Sequence, residues 1–155
     1  MPEKFILNLE KAKAELKIAD HLTYMTFPLV KENRLLLKIL EKISKSLIST
    51  INAILQYEYV YKRIQIYKDA RDNFETFKKI SGRYRIPQEQ LQKIIEILNL
   101  EEKHKASPLE FVKKDKIVIM SDNMKTDTLT VEKIKQYLVE IKDIIRKAGI
   151  IISSP

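Results

Sequence analysis

"LLLKILEKISKSLISTINAILQYEYVYKRIQI", residues 35–66, is the stretch on which the fold turns. Leu36, Leu40, Ile43, Leu47, Ile51, Ile54 and Tyr61 recur at helical spacing, and Leu37, Ile48 and Leu55 broaden the stripe. An apolar face this wide needs more than one neighbouring helix to cover it. Tyr57, Tyr59 and Tyr61 alternate as a strand would, but Tyr57 to Tyr61 and Val60 to Ile64 keep i,i+4 spacing. The pattern therefore predicts one long central helix reaching about Ile66.

Amphipathic helices are predicted on both sides of it. Phe5, Leu9, Ala12, Leu16, Ala19 and Thr23 share a face of a first helix over about residues 3–25. Pro28 disfavours helical geometry at Phe27, and Asn33 is a good N-cap for the central helix. Asp69 caps a third helix carrying Ala70, Phe74 and Phe77, with Gly82 suited to its C-terminal end. Pro87 opens a fourth, whose face is Leu91, Ile94, Ile95 and Leu98. Val131, Ile134, Leu138, Ile141, Ile145 and Ala148 mark a last helix between the caps Thr130 and Gly149.

Only "HKASPLEFVKKDKIVIM", residues 104–120, breaks this rhythm. Ser107-Pro108 stops the fourth helix, "KIVIM" has a strand's length and β-branched content, and "KTDTLT" is able to pair back on it. Leu109, Phe111, Val112, Ile117 and Ile119 are expected to cover an end of the bundle. The fold class read from these elements is all-α. It is an antiparallel bundle of about five helices with a short β-hairpin-like insert near residues 116–128, in a single domain spanning 1–155.

Composition narrows the chemistry. With no cysteine there is no disulfide, thiolate nucleophile or cysteine-ligated metal, and two histidines are too few for an all-histidine metal site. Two glycines are too few for a phosphate-cradling loop. No metal or cofactor is expected. No window approaches the roughly 18 apolar residues of a membrane span, and the N-terminal stretch is amphipathic instead of signal-like, so a cytoplasmic protein with no membrane partner is expected. Abundant lysine and isoleucine without cysteine suit a thermophile or an AT-rich genome.

The formal charge of +8 is unevenly spread. Residues 61–85 carry a net +5 and residues 103–116 a net +3, while residues 86–102 carry −3. Four of the six arginines fall in the first segment, interleaved with Tyr61, Tyr67 and Tyr84. Arginine forks suit phosphate and tyrosine rings suit unpaired bases, so Arg63, Lys68, Arg71, Arg83 and Arg85, with Lys113 and Lys114, are the candidate nucleic-acid-binding residues. A solvated helix face explains the same charges. His104 ends an amphipathic helix, where it complements the exposed carbonyls. Its catalytic reading is general acid/base in RNA cleavage, with Lys103, Lys105, Arg83 or Arg85 as the cation for the phosphorane. His21, at the polar edge of the first helix beside Asp20 and near Tyr24, reads as a buried hydrogen-bonded or an exposed histidine and not as a ligand.

The order of elements, "LEKAKAELKIADHL" and then a long helix through "SLISTINAILQYEYVYKR" followed by shorter helices, resembles HEPN-type helical bundles over about residues 5–105. That resemblance implies a small intracellular all-α domain, often dimeric, of the kind found in toxins, antitoxin pairs and RNA-processing proteins. Catalytic members carry an arginine with four to six residues between it and a histidine. The corresponding positions before His104 are Asn99, Leu98 and Ile97, so the resemblance implies a non-catalytic member. The chain also resembles small archaeal proteins.

The expected function is a helical-bundle binding or scaffold module and not an enzyme. Its first partner is itself, as a homo-oligomer with a dimer favoured; its second is RNA or DNA at the 61–85 surface. The alternatives are a HEPN-type or other metal-independent ribonuclease using His104, and a purely structural assembly protein.

Overall fold

The structure, a computed structural model, describes residues 3–153. Helix α1 (Lys4–His21) buries Phe5, Leu9, Ala12 and Ala19, the face read from the sequence. The chain does not break at Pro28. A π-helical turn, Leu22–Thr26, leads into the single turn α2 (Phe27–Val30), and Phe27 is fully helical at φ −57, ψ −43. The wide turn shifts the hydrogen-bond register, so the donor that Pro28 lacks falls in the first turn of a new helix, where none is needed. Lys31, left-handed at φ 50, ends the run.

Helix α3 (Leu35–Val60) is the spine, 26 residues and about 39 Å long. Leu36, Ile39, Leu40, Ile43, Leu47 and Ile54 are fully buried, and each such side chain contributes about 1.5–3 kcal/mol. Small residues let α1 approach it closely: Ser46 Oγ donates to the Ala12 carbonyl at 2.7 Å, with both residues fully buried. Asn33 does not cap the helix; Arg34 occupies the cap position, and Asn33 Nδ2 donates to the Lys114 carbonyl instead. The helix also ends six residues sooner than expected. Lys62 turns left-handed at φ 60, with Lys62 N–H bonded to Tyr59 O and Arg63 N–H to Glu58 O. This paired closure satisfies the terminal carbonyls and throws Tyr61 off the apolar stripe to an exposed position.

Asp69 caps α4 (Ala70–Ile80), accepting from Arg71 N–H at 2.8 Å. A 3-10 turn, Ser81–Tyr84, follows, and the left-handed residue that closes it is Arg85 at φ 55, not Gly82. Helix α5 (Gln88–Ala106) starts after Pro87, and α6 (Val131–Ile152) is capped by Thr130 and runs three residues past Gly149.

The insert is larger than a hairpin. Strands β1 (Leu109–Lys113), β2 (Lys116–Met120) and β3 (Thr126–Leu129) form an antiparallel sheet in that order, with Phe111 opposite Val118 and Ile117 opposite Leu129. All-α is therefore too narrow a class: the chain is a helical bundle carrying a three-stranded sheet. Ile117, Ile119 and Leu129 join the bundle's core, so the sheet is part of the packed body. No helix among the described residues is long and apolar enough to cross a membrane.

Candidate nucleic-acid interface

Glu58 organises the C-terminal end of α3. It follows Ile51 and Leu55 on the apolar stripe, so the helix carries its carboxylate inward, where it is fully buried. An unpaired charge there would be costly. Three donors converge on it, one from the loop after α3 and two from the 3-10 turn that follows α4. Arg63 Nη2 lies 3.1 Å and Tyr84 Oη 3.1 Å from Oε2, and Arg83 Nη1 makes a charge contact with Oε1 at 3.2 Å. Burial, reinforced by the Glu58 charge, holds the Tyr84 phenol well above its ordinary pKa. Hydrogen bonding to Glu58 likewise holds the Arg63 guanidinium above its usual value. Arg63 also lies over the Tyr61 and Tyr57 rings, 5.3 and 5.7 Å from their centroids.

Beside this hub is a groove of about 520 Å³ whose lining includes Arg83, Tyr84, Arg85, Arg146 and Lys147. Helix α6 thus adds two cations that lie some sixty residues away in sequence. Lys147 Nζ donates to the Arg85 carbonyl at 2.7 Å and pins the left-handed residue in place. Arg146 and Lys147 share Asp143, at 2.7 and 2.9 Å, and the bond from Lys147, with those from Gln90 and Arg146, holds that carboxyl far below the usual range. Arg85 is exposed and pairs with no carboxylate among the described residues. This end of the bundle sets Arg63, Arg83, Arg85, Arg146 and Lys147 beside Glu58 and Asp143, with Glu140 joined to Asp143 and Lys147 through Gln90.

Three exposed tyrosines lie between the end of α3 and the start of α4. Tyr59 and Tyr61 lie at the end of α3, and Tyr67 is held in the following loop by Asn73, which accepts from its N–H at 2.7 Å and donates to its carbonyl at 2.8 Å.

The other residues singled out from the sequence lie elsewhere. Lys68 is exposed in the loop before α4, and Arg71 lines a separate groove among α3, α4 and α5. Lys113 and Lys114 sit at the β1–β2 turn, which Asn33 ties to the N-terminal end of α3. That contact puts them about 40 Å from Arg63, the length of the spine. Lys113 and Lys114 therefore lie at the other end of the spine from Arg63, although Arg71 and Lys105, one from each basic segment, line the same groove. Glu58, Arg146 and Lys147 escaped the sequence reading. Glu58 is detectable as a carboxylate on an otherwise apolar stripe, whereas nothing in the local charge around α6 marks Arg146 or Lys147.

His104 is a clasp between elements. Its Nδ1 lies 2.6 Å from Glu110 on β1, and its Nε2 lies 3.2 Å from Glu41 on α3. Burial lowers its pKa, but the two carboxylate bonds outweigh burial and leave it raised. Of the cations named for cleavage, Lys105 stays near, lining the groove beside Glu101. Lys103 pairs with Asp127 at 2.7 Å, and Arg83 and Arg85 lie beyond the other end of α5, roughly 28 Å away. Among the described residues no group of His, Asp and Glu is arranged to hold a metal ion.

The chain matches no family model, no curated protein and no solved structure, so the chemistry of this interface rests on its own residues.

Proposed function

We propose that this chain is a binding module that takes single-stranded nucleic acid at the α3 C-terminal end and associates with itself through an exposed apolar tip. The supporting observation is the convergence of Arg83, Arg85, Arg146 and Lys147 on one groove, with the exposed Tyr61 ring beside Arg63, which shares Glu58 with Arg83. Guanidinium forks meet phosphate oxygens in pairs, and phenol rings give unpaired bases a face to stack on. A surface with both suits a flexible strand better than a paired duplex, whose bases are already stacked.

Self-association is supported by Leu29, Val30 and Met25, which are 85%, 55% and 60% exposed around α2. Large apolar side chains clustered on a surface mark contact sites. A non-catalytic member of a HEPN-like class would combine these two properties, RNA contact and dimer formation.

The test is binding of the purified chain to labelled single-stranded RNA and to duplex DNA at about 50 mM and about 200 mM salt. Tighter binding of the single strand, weakening steeply with salt through counterion release, is the expected result. No binding at the lower salt would leave the charge as a solvated face.

A further inference from the structure

The corner where α5 hands over to β1 is independent of the basic groove, and it holds a histidine whose two ring nitrogens both meet carboxylates. His104 Nδ1 lies 2.6 Å from Glu110 Oε2 on β1, and Nε2 lies 3.2 Å from Glu41 Oε1 on α3. A neutral imidazole has one N–H and one lone pair, so it donates to one of these oxygens and turns its lone pair on the other. The imidazolium, with two N–H groups, satisfies both at once. Glu101, buried three residues back on α5, adds a third carboxyl whose charge acts on the ring. The cations acting on this cluster are Lys45 of α3 and Lys105 of α5, both through Glu101. Asp127 of β3 is occupied by Lys103 at 2.7 Å. The His104 side chain is only 15% exposed, so water does little to screen the charges around it.

We propose that this corner is a proton-operated latch: the His104 imidazolium ties α5 and β1 to the spine through Glu110 and Glu41, and loss of one ring proton releases the tie to Glu41. Glu110 keeps the remaining N–H, because its contact is the shorter and its side chain, 18% exposed, the more buried. Glu41, 36% exposed, has water to turn to. With the positive charge gone, Glu41, Glu101 and Glu110 are left to repel one another. β1 is the strand this sets loose. It forms an edge of the sheet, pairs only with β2 and buries none of its own residues. β2 and β3 stay anchored, because Ile117, Ile119 and Leu129 are in the core. Burial opposes the charged ring, but the two carboxylate bonds outweigh it, so the latch opens as pH rises through the raised pKa of His104.

The ring-nitrogen NMR signals of His104, followed from about pH 5 to about pH 9, report its protonation directly. Amide hydrogen exchange over residues 104–113, corrected for the intrinsic rise of exchange with pH, reports the corner. As the ring loses its proton, protection in β1 is expected to fall by about tenfold, the worth of one charge-assisted hydrogen bond, while protection in α6 stays the same. Glu41→Gln removes one carboxylate and offers the neutral ring an amide N–H in its place. That variant is expected to lower the titration midpoint of His104 and to shrink the step in protection. His104→Gln is expected to remove the step altogether. A ring that carries a single proton across the whole range, a step that does not coincide with the ring titration, or the same step in His104→Gln overturns the assignment.

Discussion

Arg63 and Glu58 meet at 3.1 Å where α3 ends, and the pairing depends on the left-handed turn at Lys62 that brings the chain back over the helix it has just left. Arg83 reaches the same carboxylate from the far side of α4. The end of the spine, the loop and the 3-10 turn are thus fastened through one buried charge. A buried carboxylate deprived of both cations is strongly destabilising. Arg63→Ala with Arg83→Ala is expected to lower the urea unfolding midpoint, because it leaves the buried Glu58 carboxylate without a cation. A wild-type midpoint in that double variant would show that Glu58 does not depend on the pair.

Arg85 stands in a conformation that favours glycine, φ 55, and closes the turn there. A left-handed non-glycine residue costs about 1–2 kcal/mol, and glycine returns part of that gain through its freer unfolded chain. Arg85→Gly should therefore stabilise the fold by about 0.5–1 kcal/mol while weakening nucleic-acid binding. Loss of stability together with unchanged binding would contradict both roles given to the residue.

His104 binds its proton more tightly in the folded chain than in the unfolded one, because Glu110 and Glu41 flank it. Its contribution is fully present below its ordinary value of 6.5 and is lost as pH rises through the raised folded value. The stability difference between wild type and His104→Gln, followed from about pH 5 to about pH 9, is expected to shrink as pH increases. A difference independent of pH would mean that the imidazole is not a charged clasp.

Leu29 and Val30 protrude where α2 ends, both left largely uncovered by the described residues. Light scattering is expected to give a multiple of 18.3 kDa, reduced to the monomer by Leu29→Glu with Val30→Glu. A monomer at high concentration in the wild type would remove self-association from the account.

Periodicity made the helices legible, because a core-facing stripe leaves the same rhythm whatever it packs against. Val131 to Ala148 is the plainest instance, and Phe5 to Thr23 another. What escaped were the places where one local rule yields to another. Pro28 lies in a helix because a π turn precedes it, and Leu109–Lys113 became a strand because β2 offered a full-length partner across a two-residue turn. Gly82 was expected to end the third helix, yet Arg85 takes the left-handed position there, and Lys62 takes the one after α3. At the candidate site, local charge pointed to Arg63, Arg83 and Arg85, but Arg146 and Lys147 join them only through the packing of α6 against α5 and the 3-10 turn. Charge density in sequence also grouped Lys113 and Lys114 with them as candidates, although the spine holds these two at its other end.

The most direct test is the salt dependence of single-stranded RNA binding in wild type and in Arg85→Glu with Arg146→Glu, two exposed positions that leave the Glu58 hub intact. Each phosphate contact on a single strand contributes about 0.7 to the slope of log K against log salt, so the variant is expected to bind more weakly with a slope shallower by about 1.4. The same affinity and the same slope in both proteins would contradict the account, because the strand would then lie somewhere other than this groove.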